Sequence, residues 1–253
     1  MTDYLYDGSW QGFLTCVYYH YYEEKAAEIC PGIRYQTNLL RQAKTIVTDT
    51  EKAERVSSAI ERKISPYSLT RAYAAFLADE PDKERFILDY IILGFRVGGH
   101  LDDLRGREEV FRVQKLAKQI SREAERFRGL LRFSVLKAGD REILYGKIHP
   151  RHNILELLGE HFSDRFRSEP FLIYDGGRGK ALFGWGGNWE TAPFEEKQLP
   201  GFSQEERDYR RLWQRYFHVI AIKEREYPRC QKNFMPVRYW KDLPEFSAKE
   251  VMK

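Results

Sequence analysis

Hydrophobic positions along this chain repeat mostly at three- and four-residue intervals, the period of a helix with one buried face. A short strand is expected at YLYD (4–7). SWQGFLTCVYYHYYEEKAAEIC (9–30) then reads as a helix, with Ser9 as its N-cap and Phe13, Leu14, Val17, Tyr18 and Tyr21 on its apolar side. Residues 50–97 read as helical throughout, cut into three segments by Pro66, Pro81 and the Gly98–Gly99 pair. The longest apolar stretch, FILDYIILGF (86–95), carries Asp89 and falls short of the roughly 18 residues of a membrane span, so a buried helix is expected there.

From Glu108 a long amphipathic helix begins. Val113, Leu116, Ala117, Ile120, Ala124 and Phe127 form its apolar stripe; Arg112, Lys115, Lys118 or Gln119, Arg122 and Arg126 form a cationic one. Gly129 is expected to end it, and the pattern then changes. LLRFSVL (130–136) and REILYGKIH (141–149) read as strands joined by KAGD. FLIYD (171–175) and KALFGWG (180–186) form a second hairpin across GGRG. Between the hairpins, HPRHNILELLGEHFSDRF supplies a helix that Asn153 is expected to cap, with Glu156 three residues on. A polar, proline-containing loop (187–202) leads to the helix SQEERDYRRLWQRYF, with a Ser203/Glu206 capping box. Tyr209, Leu212, Trp213, Tyr216 and Phe217 are spaced as its core face; Arg207, Arg210, Arg211 and Arg215 lie off that face.

This order predicts an α+β fold: an antiparallel sheet with a β-β-α-β-β core, covered by helices, and a mainly helical N-terminal module. The expected division is 1–109 and 110–253, with GGHLDDLRGREE (98–109) as the junction. Composition supports a buried core, at 42% hydrophobic and 15% aromatic residues. The start, MTDYLYDGSW, has no basic residue and no unbroken apolar stretch, so no signal peptide is expected. Cys16, Cys30 and Cys230 are odd in number and far apart, which suits a reduced, cytoplasmic protein with no membrane partner.

Charge changes the picture more than composition does. Residues 1–109 carry a net −4, 110–153 a net +7, 154–203 a net −3 and 204–253 a net +4. Two separated basic segments make a phosphate-binding face if the fold joins them; otherwise they are two solvated helix faces.

Several chemistries lack their pattern: there is no Walker loop, Rossmann fingerprint, GxSxG elbow, HExxH or compact cysteine trio. DGGRGKALFGWGG is glycine-rich but sits in a hairpin, where its glycines serve the turn. Cys16 and His20 have the four-residue spacing of a metal pair. No second pair lies near, so a buried cysteine beside a packed histidine is expected, and no metal or cofactor. The densest polar group is HPRHN (149–153), at a strand end and helix start. His149 and His152, with His161 and Asp164 further on, are the candidate acid–base groups, and Arg151 and Arg165 the candidate phosphate ligands. The competing reading makes His161 a near-core residue beside Leu157 and Leu158.

Nucleic-acid binding draws on more residues. Arg122, Arg126, Arg128 and Arg132 run from the basic helix into the first strand, and Arg178 sits at the tip of the second hairpin. The tail PRCQKNFMPVRYW (228–240) adds Arg229, Gln231, Lys232, Arg238 and Tyr239. Cations interleaved with aromatics can hold phosphates while bases stack. Phe234, Met235 and Trp240 are expected to strap the tail down, leaving its cations free to grip.

The stretches YLYDGSWQGFLTCVY, ERFRGLLRF, IHPRHNILELLGEHFSDRF, FLIYDGGRGKALF and PRCQKNFMPVRYWKDLPE span nearly the whole chain. In that order they resemble a bacterial family of DNA metabolism and DNA repair proteins of undetermined activity. Its members resemble companions of a radical-SAM protein, and a related domain occurs fused to a uracil-DNA-glycosylase-like domain. The resemblance implies a DNA-binding accessory role in repair or modification beside that radical-SAM partner. It carries over no catalytic residues, and this chain has neither a glycosylase-like segment nor cluster-binding cysteines. The alternatives are an enzyme acting on DNA through HPRHN, and a structural partner using the aromatic N-terminus and the helical 50–97 module.

Overall fold

The computed structural model describes residues 2–246 apart from residues 38, 140 and 226. Asp140, the last residue of the expected KAGD turn, lies outside the described residues. The chain divides into two compact units, Met1–Ser121 and Arg122–Lys253. The division falls inside a continuous helix, whereas composition pointed to 98–109.

In the first unit, β1 (Thr2–Tyr6) is the middle strand of a parallel sheet ordered β2-β1-β3, with β2 (Ala26–Pro31) and β3 (Gln42–Thr45). Helix α1 (Trp10–Tyr22) is the crossover from β1 to β2, and the Ser9 hydroxyl caps it by accepting the Gly12 N–H at 2.9 Å. Two expectations are corrected here. The helix stops at Tyr22 instead of reaching Cys30, and the N-terminal module contains a sheet. AAEICP has the composition of a helix end; it is a strand because β1 offers it a ladder, which is a non-local interaction. Cys16 is fully buried, and burial pushes its thiol up to about 12. The His20 Nδ1 accepts the Ala26 N–H at 3.1 Å.

Helices α2 (Thr50–Lys63), α3 (Pro66–Phe76) and α4 (Lys83–Val97) fall where proline and glycine punctuation places them. Asp49 and Ser65 cap the first two, accepting the N–H groups of Lys52 and Ser68 at 3.0 Å each. Helix α4 buries Ile87, Leu88, Tyr90 and Ile91. No helix among the described residues is long and apolar enough to cross a membrane. Helix α5 (Glu108–Leu130) runs through the division between the units. Its expected stripe, Val113, Leu116, Ala117, Ile120, Ala124 and Phe127, is buried.

The second unit is a five-stranded sheet in chain order: β4 (Phe133–Ala138), β5 (Arg141–Ile148), β6 (Phe171–Asp175), β7 (Lys180–Trp185) and β8 (Asn188–Pro193). Helix α6 (Leu155–Arg165) lies between β5 and β6, and α7 (Gln204–Ile220) and α8 (Pro228–Phe234) follow the sheet. The fold is α+β, but the sheet is mixed. β4–β5, β6–β7 and β7–β8 are antiparallel, while β5 and β6 are parallel. The two expected hairpins, β4–β5 and β6–β7, form. The pairing between the hairpins is parallel because α6 carries the chain back to the starting end of the sheet. Strand β8 lies in the segment expected to be a loop; NWETAP is polar and ends in proline, as an edge strand tolerates. Helix α6 starts at Leu155 with Ile154 at its N-cap position and no side-chain cap, so Asn153 does not cap it. A turn from the Ile154 N–H to the His152 carbonyl (3.0 Å) delays the helix.

On one sheet face, Phe133 and Phe171 meet Phe162 and Phe166 from α6 and the turn after it. On the other, Leu136, Tyr145, Leu172, Tyr174 and Ala181 pack against Phe194, Leu199 and Phe202. A Cβ at Gly184 would stand inside the edge of the buried Phe171 ring. Gly184→Ala is therefore expected to destabilise the second unit by about 1–3 kcal/mol through overpacking. Thermal unfolding followed by near-ultraviolet circular dichroism checks it; an unchanged midpoint contradicts the packing described.

Candidate functional site

Parallel pairing of β5 and β6 sets the loops after them side by side. HPRHN (149–153) follows β5 and GGRG (176–179) follows β6, both at the carboxyl ends of a parallel pair, where α/β units commonly hold ligands. The carboxylate of Asp175, fully buried at the end of β6, accepts the Gly177 N–H at 2.9 Å and the Arg178 Nη1 at 3.0 Å. Arg178 then reaches across to HPRHN. Its Nη1 donates to the Pro150 carbonyl at 3.2 Å and its Nη2 to the Arg151 carbonyl at 2.6 Å. One guanidinium ties the two loops.

Glu123, at the edge of the apolar stripe of α5 and only 2% exposed, holds HPRHN from beneath. Its Oε1 accepts the Arg151 N–H at 3.1 Å, and its Oε2 the His152 N–H at 2.9 Å. Its Oε1 also accepts the Tyr239 hydroxyl at 2.6 Å and the Arg238 Nη2 at 3.0 Å. Burial alone would raise the Glu123 carboxyl. The Tyr239 hydroxyl and the two loop N–H groups outweigh it and hold the carboxyl below its ordinary range. Tyr239 is pushed up to about 12 by burial and by the Glu123 carboxylate it bonds. Its ring meets Phe127 edge-on at 4.6 Å.

His149 opens the loop. Its Nδ1 lies 2.8 Å from the Asp242 Oδ2, and its ring rests on Gly176, where a Cβ would stand 2.5 Å from Nε2. Burial raises the Asp242 carboxyl, and His149 opposes that rise. Alternate residues of a strand share a face, so Lys147 and Tyr145 follow His149 down β5. The Lys147 Nζ donates to the Glu196 Oε2 at 2.5 Å, and the Tyr145 hydroxyl to Oε1 at 2.8 Å. Burial would raise Glu196, but these two donors keep it below its ordinary range. With Nδ1 engaged by a carboxylate, His149 has Nε2 left for proton transfer or for an anion.

The expected catalytic residues do not converge. His149 meets a carboxylate partner, Asp242. His152 is buried with its backbone in the grip of Glu123, His161 lies on α6 with its ring 4.8 Å from Phe162, and Asp164 is exposed and paired with Arg167 at 3.3 Å. Of the expected phosphate ligands, Arg151 and Arg122 have exposed side chains and Arg126 is half-buried. Arg128 pairs with Glu125 and donates to the Leu157 carbonyl at 2.9 Å. Arg132 pairs with Glu245 at 2.9 Å, and Arg165 is exposed beside Phe166. Arg229, Gln231 and Lys232 are exposed on α8.

The tail needs a correction. Phe234, expected in the strap, is 75% exposed, whereas Tyr239, expected among the stacking aromatics, is 1% exposed and pins the tail. Trp240 docks as expected: it stacks on Phe246 at 4.4 Å and donates to the Met235 carbonyl at 2.9 Å. The two basic segments do meet, through Arg238–Glu123, Arg132–Glu245 and Lys137–Glu205, so an acid stands at each of these junctions.

The profile of a family described as a domain of unknown function, DUF4130, matches residues 81–245, well over half of the 253 residues. The chain belongs to this family. No curated protein and no solved structure matches it. The DUF4130 match takes in Glu123, both loops and Asp242, and ends at Glu245, the partner of Arg132.

Sequence reasoning missed Glu123, Asp175, Asp242, Lys147 and Glu196. Asp175 carried a signal, as an acid closing the otherwise apolar strand FLIYD. Glu123 carried one too, standing three after Ile120 and four before Phe127 in step with the apolar stripe, whereas Asp242 lies 93 positions from His149.

Proposed function

We propose that this protein is a DNA-binding accessory factor in DNA repair or modification, with the HPRHN–GGRG loop pair as its phosphate-contacting centre. The observation that carries this is the fixing of HPRHN: Glu123 holds two of its backbone N–H groups, Arg178 holds two of its carbonyls, and the Arg151 side chain is exposed from the frame they make. A cation carried on a pre-ordered loop saves the backbone part of the entropy cost of meeting a phosphate. Arg122 and Arg126 on α5 and Arg229 and Lys232 on α8 form no ion pair among the described residues and are further candidate contacts. The radical-SAM partner rests on the resemblance alone. With three dispersed cysteines, this chain would leave cluster chemistry to that partner.

Titration of labelled single- and double-stranded DNA at two salt concentrations tests the reading. Affinity is expected to fall steeply with salt by counterion release, and Arg151→Ala to reduce the slope of log affinity on log salt by about 1. No binding at low salt overturns it.

A second reading rests on the His149–Asp242 pair, which has the arrangement of a base and its orienting carboxylate. Here the protein is an enzyme acting on DNA. Turnover of damaged or undamaged oligonucleotides that His149→Ala abolishes supports it; binding without turnover returns the site to phosphate contact.

A further inference from the structure

Helix α7 leaves its expected core face open. Tyr209, Leu212, Trp213 and Tyr216 are 64%, 62%, 40% and 52% exposed. They line one wall of a groove of about 690 Å³, and the edge strand β4 from Phe133 to Val135 lines the other. Glu206, also in the groove, accepts the Val135 N–H at 3.0 Å, which closes part of the β4 edge.

Two guanidiniums enter this aromatic surface. Arg132 lies 5.7 Å over the Trp213 ring and pairs with Glu245. Arg210 lies 4.6 Å over Phe202 and has no hydrogen-bond acceptor among the described residues. The Nε of each is buried without a partner among the described residues, so an outside acceptor would meet the outer guanidinium nitrogens. The groove thus combines exposed rings with one guanidinium, Arg210, that forms no ion pair among the described residues, while Glu206 is engaged by the Val135 N–H and Arg132 by Glu245. That is complementary to a ligand with flat apolar faces and a regularly spaced anion.

We infer that the α7–β4 groove binds single-stranded DNA, with bases stacked on Tyr209, Trp213 and Tyr216 and a phosphate on Arg210. Unpaired bases are required, because a duplex keeps its base faces covered. This rests on the DNA-binding reading and adds a strand preference to it: the pinned loops take phosphates of either form, and the groove takes only an unpaired strand.

The test uses the full chain, a labelled oligothymidine and a duplex of equal length. Tyr209→Ala/Tyr216→Ala removes two exposed rings that make no hydrogen bond among the described residues, and Arg210→Ala removes the cation. Each is expected to weaken oligothymidine binding about tenfold, to leave duplex binding unchanged, and to reduce the quenching of tryptophan fluorescence by the oligomer. Arg151→Ala should weaken both forms alike. Variants that match wild type for both DNA forms, while Arg151→Ala weakens binding, overturn the groove and leave the loop reading standing. Oligothymidine binding lost in the groove variants but unaffected by Arg151→Ala supports the groove and overturns the loops. Groove variants that change only the sedimentation of the protein assign this face to self-association and overturn the inference.

Discussion

Glu123→Ala is expected to cost the second unit about 3–5 kcal/mol, the range for breaking a buried charge away from its partners. Four donors converge on this carboxylate: the Arg151 and His152 N–H groups, the Tyr239 hydroxyl and the Arg238 guanidinium. Alanine leaves all four facing a void. The loss should be local before it is global, with hydrogen exchange at the Arg151 and His152 amides accelerating more than in the β5–β6 ladder. It should also depend on pH. The folded carboxyl is held below its unfolded value, so its stabilisation is complete above the unfolded value of about 4.3 and is lost as pH falls through the folded one. The gap between wild type and variant is therefore widest at neutral pH and narrows in acid. Denaturant unfolding at a series of pH values measures this. A gap that stays constant from neutral pH into acid would show that the carboxylate does not hold the loop.

Tyr239→Ala should cost a similar amount, about 3–5 kcal/mol, for a different reason. The ring is 1% exposed against Phe127, so truncation opens a cavity. Tyr239→Phe separates the contributions: it keeps the ring, removes the 2.6 Å bond to Glu123, and should cost about 1.5–3 kcal/mol. Because both residues serve one carboxylate, Glu123→Ala and Tyr239→Phe should not add in the double variant. Limited proteolysis supplies an independent reading, since Tyr239→Ala is expected to expose the tail after Pro228 while the sheet survives. Additive losses, or a tail as resistant as in wild type, would make Tyr239 a passenger.

Much of the fold was legible because its determinants are local. Ser9 and Ser203 cap the helices they precede, prolines and glycines divide 50–97 into three helices, and each expected hairpin closes where its turn residues stand. Strands β2 and β8 were not legible, because AAEICP and NWETAP have little strand character until a neighbour supplies hydrogen bonds. The spacing on α7 was read correctly and its burial was not: Tyr209, Leu212, Trp213 and Tyr216 share a face, but periodicity cannot say whether anything covers it.

The candidate site divides in the same way. HPRHN stood out on composition alone, and its position between a strand and a helix followed from the pattern. The sequence by itself thus determined most of the helices from α1 to α7, the hairpins β4–β5 and β6–β7, the cationic α5 and the residues worth watching, since caps, turns and amphipathic periods act over a few positions. Tertiary structure decided that β5 and β6 run parallel, which brings GGRG beside HPRHN. It decided that Glu123, Asp242 and Tyr239 converge on that loop from far along the chain, and that many of the arginines are already held by acids or carbonyls. Those outcomes depend on which surfaces meet, and partners 93 to 116 positions apart leave no periodic trace to read.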